Sequence, residues 1–413
     1  MIEYGLIGAK LSHSFSPTIH NSLFGYDYSL LEIPETEIAD FLTKKEFKAI
    51  NVTIPYKQTV IPFLDEISEI AKKIGAINTV VNKNGKLYGY NTDFVGMRDL
   101  IQKNNIQIKD KTVAILGSGG TSKTAKAVAE SLGATKIYTV SHSGKEECIT
   151  YEKLYEIERE IEVVINTTPC GMYPNINESA VEIEKFRNLC GVVDAIYNPL
   201  KTKLVCDAKQ RGIKAVGGLY MLVSQAAAAA EKFVEKNVSN EAIEKVYNEL
   251  YKHKENIVLI GMPGCGKTTI GKALSKALSK DFIDTDEVIV SKENTPIPEI
   301  FKTKGETSFR DIESLVVKEI SAQSGKIIST GGGVVLRQKN IDLLRQNGKI
   351  IFLDRPIENI LPTEDRPLSS NIHDLKKRFD ERYEIYCSSC DIHIDCTENI
   401  EENIALILKE LNL

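Results

Sequence analysis

Ile257-Val-Leu-Ile260-Gly261-Met-Pro263-Gly264-Cys265-Gly266-Lys267-Thr268-Thr269 decides the fold of the C-terminal part of the chain. Four apolar residues predict a short buried strand, the glycines a loop, and the residues from Lys267 onward a helix. This G-x-x-x-x-G-K-T order turns backbone N–H groups inward at phosphate oxygens, and the helix N-terminus adds positive potential. Lys267 is expected to reach the β- and γ-phosphates of a nucleoside triphosphate, and the Thr268 hydroxyl to bind Mg²⁺. Gly261, Pro263, Gly264, Cys265, Gly266 and Thr269 complete the nucleotide cradle. The motif specifies nucleotide binding and leaves the acceptor open.

Residues for an acceptor follow. Phe282-Ile-Asp284-Thr-Asp286 places two carboxylates two apart at a strand end, hence on one face. One can hold Mg²⁺ and the other can take a hydroxyl proton. In Gly305-Glu-Thr-Ser-Phe-Arg310-Asp-Ile-Glu313 the arginine and the last acid are i,i+3 on a helix, so the acid can orient the guanidinium toward a carboxylate. Ser329-Thr-Gly331-Gly332-Gly333 closes a strand with backbone open to a ligand. Arg366 sits on a loop able to swing over the phosphates, and Arg382 on a later helix. Cys387, Cys390, His393 and Cys396 have spacing compatible with zinc, but Asp391–Asp395 alternates like a strand; Mg²⁺ is the only metal expected.

A second Gly-rich turn opens another unit upstream. Thr112-Val-Ala-Ile-Leu116 predicts a buried strand, followed by Gly117-Ser118-Gly119-Gly120-Thr121-Ser122, a dinucleotide-type turn with serine at the third small position. The next strand, Lys136–Val140, ends in Ser141-His142-Ser143, without the acid that binds the ribose 2′-hydroxyl of NAD. That favours NADP, with His142 and Lys145 the nearby candidates for its 2′-phosphate. Nearer the N-terminus, Asn51-Val-Thr53-Ile-Pro-Tyr-Lys57 puts Asn51 and Thr53 on one strand face, and Asp93 lies beyond in Asn91-Thr92-Asp93. A lysine beside an aspartate in a cleft is a proton-transfer pair. Ser14 and Ser16 can bond a small carboxylate, whereas His20 reads as structural.

With 413 residues and ~150 per domain, about three domains are expected. They are placed at 1–103, 104–236 and 255–413, with 237–254 as a linker. The class is α/β: an α/β substrate domain, a Rossmann-like domain, and a P-loop α/β/α domain with a parallel sheet. Helices are expected over Ile61–Ile74 and Leu219–Lys236, the latter packing back on the first domain, and strands over Ile2–Ile7, Ala49–Ile54 and Gly191–Ile196. A hydrophobic share of 42% with 26% charged residues argues against disorder. A net charge of −5 removes general nucleic-acid binding, and no apolar run approaches the ~20 residues of a membrane span. Without a basic, apolar leader the chain is expected in the cytoplasm, with its eight cysteines reduced.

In this order, the motifs of residues 255–413 resemble shikimate kinase. The resemblance implies that Asp286, Arg310, Gly331, Gly332, Gly333 and Arg382 hold shikimate, that Asp284 lies near Mg²⁺, and that Arg366 is the lid arginine beside ATP. The late arginine here precedes Tyr-Glu-Ile-Tyr386 in place of the family's Asn-Pro-Leu-Tyr. Residues 1 to about 236 resemble shikimate dehydrogenase, through S-x-S-P, N-V-T-x-P-x-K, N-T-D, the Gly-rich turn, N-T-T-P-x-G-M and G-G-x-x-M-L-x-x-Q. That resemblance makes Lys57 and Asp93 the catalytic pair and lines the substrate pocket with Ser14, Ser16, Asn51, Thr53, Asn78, Tyr197 and Gln225. Asn166, Thr167, Met172 and Gly218 would follow the NADP(H) site, while Ser141-His142-Ser143 replaces the family's Asn-Arg-Ser/Thr turn. Together the resemblances imply NADPH-dependent reduction of 3-dehydroshikimate and ATP-dependent phosphorylation of shikimate. The alternatives are an NAD-using quinate/shikimate oxidoreductase, a sensing module controlling the kinase, and a kinase for another small hydroxy acid.

Overall fold

The computed structural model describes residues 2–11, 14–144, 147–360 and 372–413. The chain divides into two compact units. One comprises Met1–Met172, Glu178–Tyr197 and Asp207–Tyr251; the other comprises Tyr173–Asn177, Asn198–Cys206 and Lys252–Leu413. Two short segments of the 104–236 region therefore cluster with the C-terminal unit, Ile176 among its core residues.

The first unit holds two sheets. One runs β2 (Tyr28–Glu32), β1 (Ile2–Gly8), β3 (Phe47–Val52), β5 (Thr79–Lys83), β6 (Lys86–Tyr90), β4 (Glu66–Ile67), and is mixed: β5 is antiparallel to both of its neighbours. The other is fully parallel, in the order β11 (Lys214–Val216), β10 (Gly191–Asp194), β9 (Val163–Asn166), β7 (Thr112–Leu116), β8 (Lys136–Val140). The C-terminal unit carries a third, parallel sheet: β13 (Asp281–Asp284), β14 (Lys326–Ser329), β12 (Asn256–Ile260), β15 (Gly348–Asp354), β16 (Ile392–Asp395). Its central β12 is buried along its whole length, which is why residues 257–260 are a run of apolar residues and not an alternation.

Two expectations change. The strand expected at Ala49–Ile54 ends at Val52, because a turn closed by Tyr56 N–H donating to Thr53 C=O stops the ladder. The helix expected over Ile61–Ile74 is a 3₁₀ turn (Ile61–Phe63), the short β4, and a helix only from Glu69. Pro62 removes a donor, and Glu66 and Ile67 find partners along β6 instead. The expected linker is the helix Asn240–Lys254, whose Ile243, Val246 and Leu250 are buried. Helix Leu219–Val234 packs along helix Asp93–Lys103, where a Cβ on Gly96 would meet Met221 C=O at 2.5 Å. Ser224 Oγ also donates to Asp99 Oδ2 across this contact, at 2.6 Å. No helix among the described residues is long and apolar enough to cross a membrane.

Candidate active sites

The C-terminal ends of β1 and β3 and the start of helix Asp93–Lys103 open onto a cleft of about 200 Å³. Ser14, Ser16, Asn51, Thr53, Lys57, Asn78, Asp93, Tyr197, Gly218 and Gln225 line it, so the structure brings together the whole expected substrate set. Lys57 Nζ lies 2.5 Å from Asp93 Oδ2, both largely shielded from solvent. Around the pair the polar groups bind one another. Asn51 Nδ2 donates to Asn78 C=O (3.2 Å) and Thr79 Oγ1 (3.1 Å), and Asn51 Oδ1 accepts from Tyr28 (2.7 Å). Asn78 Oδ1 accepts from Thr92 N–H (2.7 Å), while its Nδ2 donates to Thr92 Oγ1 (3.0 Å). Burial pushes the Tyr28 and Tyr197 phenols up, keeping them neutral donors. His20 is stacked between Tyr28 and Phe233, and burial lowers it to about 3, so it stays neutral and structural.

In the parallel sheet's unit Gly119 caps helix Gly120–Ser131, whose first N–H groups are the anion-binding end expected of the Gly-rich turn. Ser122 Oγ donates to Gly119 C=O at 2.9 Å, so serine at the third small position closes the turn by a bond of its own. A Cβ on Gly119 or Gly120 would meet nothing within 4 Å, which leaves the backbone open to a pyrophosphate. Exposed His142 lies against Tyr151, while Ser141 Oγ accepts from Gly144 N–H at 3.2 Å; Lys145 is outside the described residues. Asn166 is fully buried and donates to Asp194 Oδ1 (3.1 Å), Thr167 stands at the turn, bonded to Leu116 C=O (2.6 Å), and Met172 is exposed.

The second cleft, of about 320 Å³, lies over the loop after β12. Pro263, Gly264, Gly266, Lys267, Thr268, Thr269, Asp284, Asp286, Arg310, Gly331, Gly332, Gly333 and Arg382 line it. Lys267 Nζ is held over its own loop by the carbonyls of Gly261 (2.8 Å) and Met262 (2.9 Å). Cys265 is buried beneath, with its Sγ 3.8 Å from Lys267 Nζ. Asp284 and Asp286 share the cleft, but not by strand alternation: β13 ends at Asp284, which accepts from Asp286 N–H (3.0 Å) and caps helix Thr285–Glu293. Arg310 Nη1 donates to both oxygens of Glu313, at 3.1 and 2.9 Å. Burial raises the Glu313 carboxyl, and Arg310 opposes that rise. Each of the three glycines admits a different site group. An added Cβ would meet Asp286 Oδ1 at 2.7 Å from Gly331, Pro263 at 2.7 Å from Gly332, and the Arg310 guanidinium at 2.2 Å from Gly333. Arg366 lies outside the described residues.

A shikimate dehydrogenase (NADP(+)) from Clostridium beijerinckii is 40% identical over 262 residues, covering 59% of this chain and 96% of that protein. The chain belongs to the shikimate dehydrogenase family. The family model for the shikimate dehydrogenase substrate binding domain matches residues 6–80, and the shikimate kinase model matches residues 263–412. A chorismate mutase/shikimate 5-dehydrogenase fusion protein from Clostridium acetobutylicum has a similar structure, with TM-score 0.57 and 37% identity over 60% of this chain and 97% of that one. The Thermus thermophilus shikimate 5-dehydrogenase, solved with NADP(H) and shikimate, gives TM-score 0.55 and 25% identity over 60% and 99% of the two chains.

Several residues of the shikimate dehydrogenase and kinase clefts escaped the sequence. Tyr28 orients Asn51, and Thr92 orients Asn78. In the kinase cleft Arg378 joins the lining, and Tyr386, stacked on Phe352, donates to Gly332 C=O beside Arg382 Nη1 (3.2 Å). The departing sequence after Arg382 thus still delivers a tyrosine one helical turn later, a signal that was readable in Tyr-Glu-Ile-Tyr386. Among the described residues, His393 is drawn to Asp354 (3.0 Å) and Asp395 (3.5 Å), and Cys390 Sγ to Cys387 C=O (3.4 Å).

Proposed function

We propose that this chain carries two successive steps: NADPH-dependent reduction of 3-dehydroshikimate to shikimate, then ATP-dependent phosphorylation of the shikimate 3-hydroxyl, both in the cytoplasm. Residues 1–236 serve the first step and residues 255–413 the second. The observation that carries the reading is the Lys57–Asp93 pair, 2.5 Å apart among neutral amide and hydroxyl groups. Such walls suit a ring of hydroxyls and one ketone. Lys57 Nζ gives its proton to the ketone oxygen as that carbon is reduced, and Asp93 holds the ammonium in place. The open helix start at Gly119–Gly120 fits the pyrophosphate of NADPH, which when bound supplies the hydride.

In the second cleft Asp286 accepts the proton of the attacking hydroxyl, and Arg310 and Arg382 hold the acceptor's carboxylate. Thr268 Oγ1 and Asp284 Oδ2, 2.8 Å apart, are the hard oxygen donors suited to Mg²⁺, which when bound neutralises phosphate charge. Lys267 stabilises the charge spreading onto the γ-phosphoryl oxygens.

The test adds 3-dehydroshikimate with NADPH or NADH to the full chain and then MgATP. Loss of NADPH absorbance followed by ADP release is expected. Faster oxidation of NADH would favour the NAD-using alternative, which the lack of an arginine in Ser141-His142-Ser143 keeps open. No oxidation of either cofactor would remove the first step.

A further inference from the structure

The Arg310 guanidinium, assigned above to the acceptor's carboxylate, already carries two carboxylates. Nη1 is taken by Glu313, and Nη2 donates to Glu306 Oε1 at 3.2 Å. The two acids differ in standing. The Glu313 side chain is wholly buried, whereas that of Glu306 is 51% exposed. Glu306 also follows Gly305, whose φ of 79° and ψ of 169° break helix Ile297–Ser321 in two. A Cβ at Gly305 would meet nothing within 4 Å, so the joint is not packed in place.

The guanidinium itself has little choice of partner. Arg310 is only 8% exposed, and its face lies against Gly333. Its Nε is buried and has no acceptor among the described residues. A carboxylate binding side-on would take Nε and Nη2 in two parallel bonds. Glu306 occupies the second of these atoms.

We infer that Glu306 is a resident carboxylate that occupies Arg310 until the acceptor's own carboxylate displaces it, the Gly305 joint letting it leave. The inference rests on the shikimate reading of this cleft. Glu306 is thereby a specificity residue. It lowers affinity for acceptors that bring a carboxylate to Arg310, because they must displace it, and leaves those without one unaffected.

The test uses the full chain, with ADP release followed at saturating MgATP and no nicotinamide cofactor. Glu306→Gln is expected to lower the KM for shikimate roughly five-fold, the size of a lost exposed ion pair. The KM for the uncharged methyl ester of shikimate should stay within about two-fold. A shikimate KM that is unchanged or raised, with the KM for MgATP kept, would overturn the inference. Equal gains for acid and ester would overturn it too. If Glu306→Gln loses ATP turnover, Glu306→Asp carries the same test, since it draws the charge back by one methylene: a lower shikimate KM supports displacement and an unchanged or higher one overturns it. Failure of the wild-type chain to release ADP with shikimate would instead sink the functional reading, and needs no variant to detect.

Discussion

In the dehydrogenase cleft Asn51, Asn78, Thr79 and Thr92 bond one another, and a single ion pair, Lys57–Asp93, stands among them. The kinase cleft is walled by ions instead: Lys267, Asp284, Asp286, Arg310, Glu313, Arg378 and Arg382. Neutral groups that satisfy one another cost little to bury, so the first cleft can be complete before its ligand arrives. Buried ions need opposite charges or dipoles at all times, and the second cleft borrows them from its own chain. Lys267 leans on loop carbonyls and Arg310 on Glu306 and Glu313. Preorganisation comes from amides in one cleft and from exchangeable ion pairs in the other.

The largest effect expected from this contrast is at Lys57. Lys57→Met should slow reduction by roughly 10²–10⁴-fold, the usual range for a lost general acid. Shikimate phosphorylation in the same preparation should stay within about two-fold, since no wall of the kinase cleft depends on Lys57. A parallel fall in both rates would break the comparison.

Gly333→Ala comes next. Its Cβ would meet the Arg310 guanidinium at 2.2 Å, and a buried arginine tied to Glu313 cannot retreat cheaply. We expect kcat/KM for shikimate in the kinase assay to fall by roughly 10²-fold, the equivalent of one charged hydrogen-bonded contact. The reduction rate should not move.

The smallest effect is a pH dependence. Burial raises the Glu313 carboxyl, so its protonated form is favoured by the fold, and falling pH neutralises it earlier than an ordinary glutamate. The ionised form is the one that holds Arg310. The kinase KM for shikimate should therefore rise as the solution is made mildly acidic, and Glu313→Gln should flatten that rise at the cost of a higher KM throughout. Stability should run the other way. Because the folded state keeps the proton more firmly than the unfolded chain, this group contributes more stability below its raised pKa than above it. A calorimetric scan of the full chain across the same pH range checks the sign.

Both clefts were legible where their residues stand close together in the chain. The loop after β12 could be read because strand, glycines, lysine and helix follow within a few residues, and local backbone rules then determine the geometry. Lys57 and Asp93 were chemically suited to proton transfer, but their pairing came from the family resemblance, since nothing between them shows how the chain returns. Asp284 and Asp286 were placed in one cleft correctly but by the wrong local geometry, because the strand ends two residues sooner and Asp284 turns to cap a helix. The apolar periodicity of the 237–254 stretch was readable, and in the helix Asn240–Lys254 those residues, Ile243, Val246 and Leu250, are buried.

The sequence by itself determined the α/β units, the two phosphate-type turns and the chemical kinds gathered around each, since those follow from backbone freedom and side-chain periodicity over short stretches. Only the tertiary structure decided how each polar group is satisfied. Asn78 and Gln225 meet across 147 positions, Tyr386 reaches Gly332, and Gly333 leaves room for Arg310. The reason is physical. A buried polar group must find a partner wherever packing places one, and packing joins residues whose separation along the chain carries no signal.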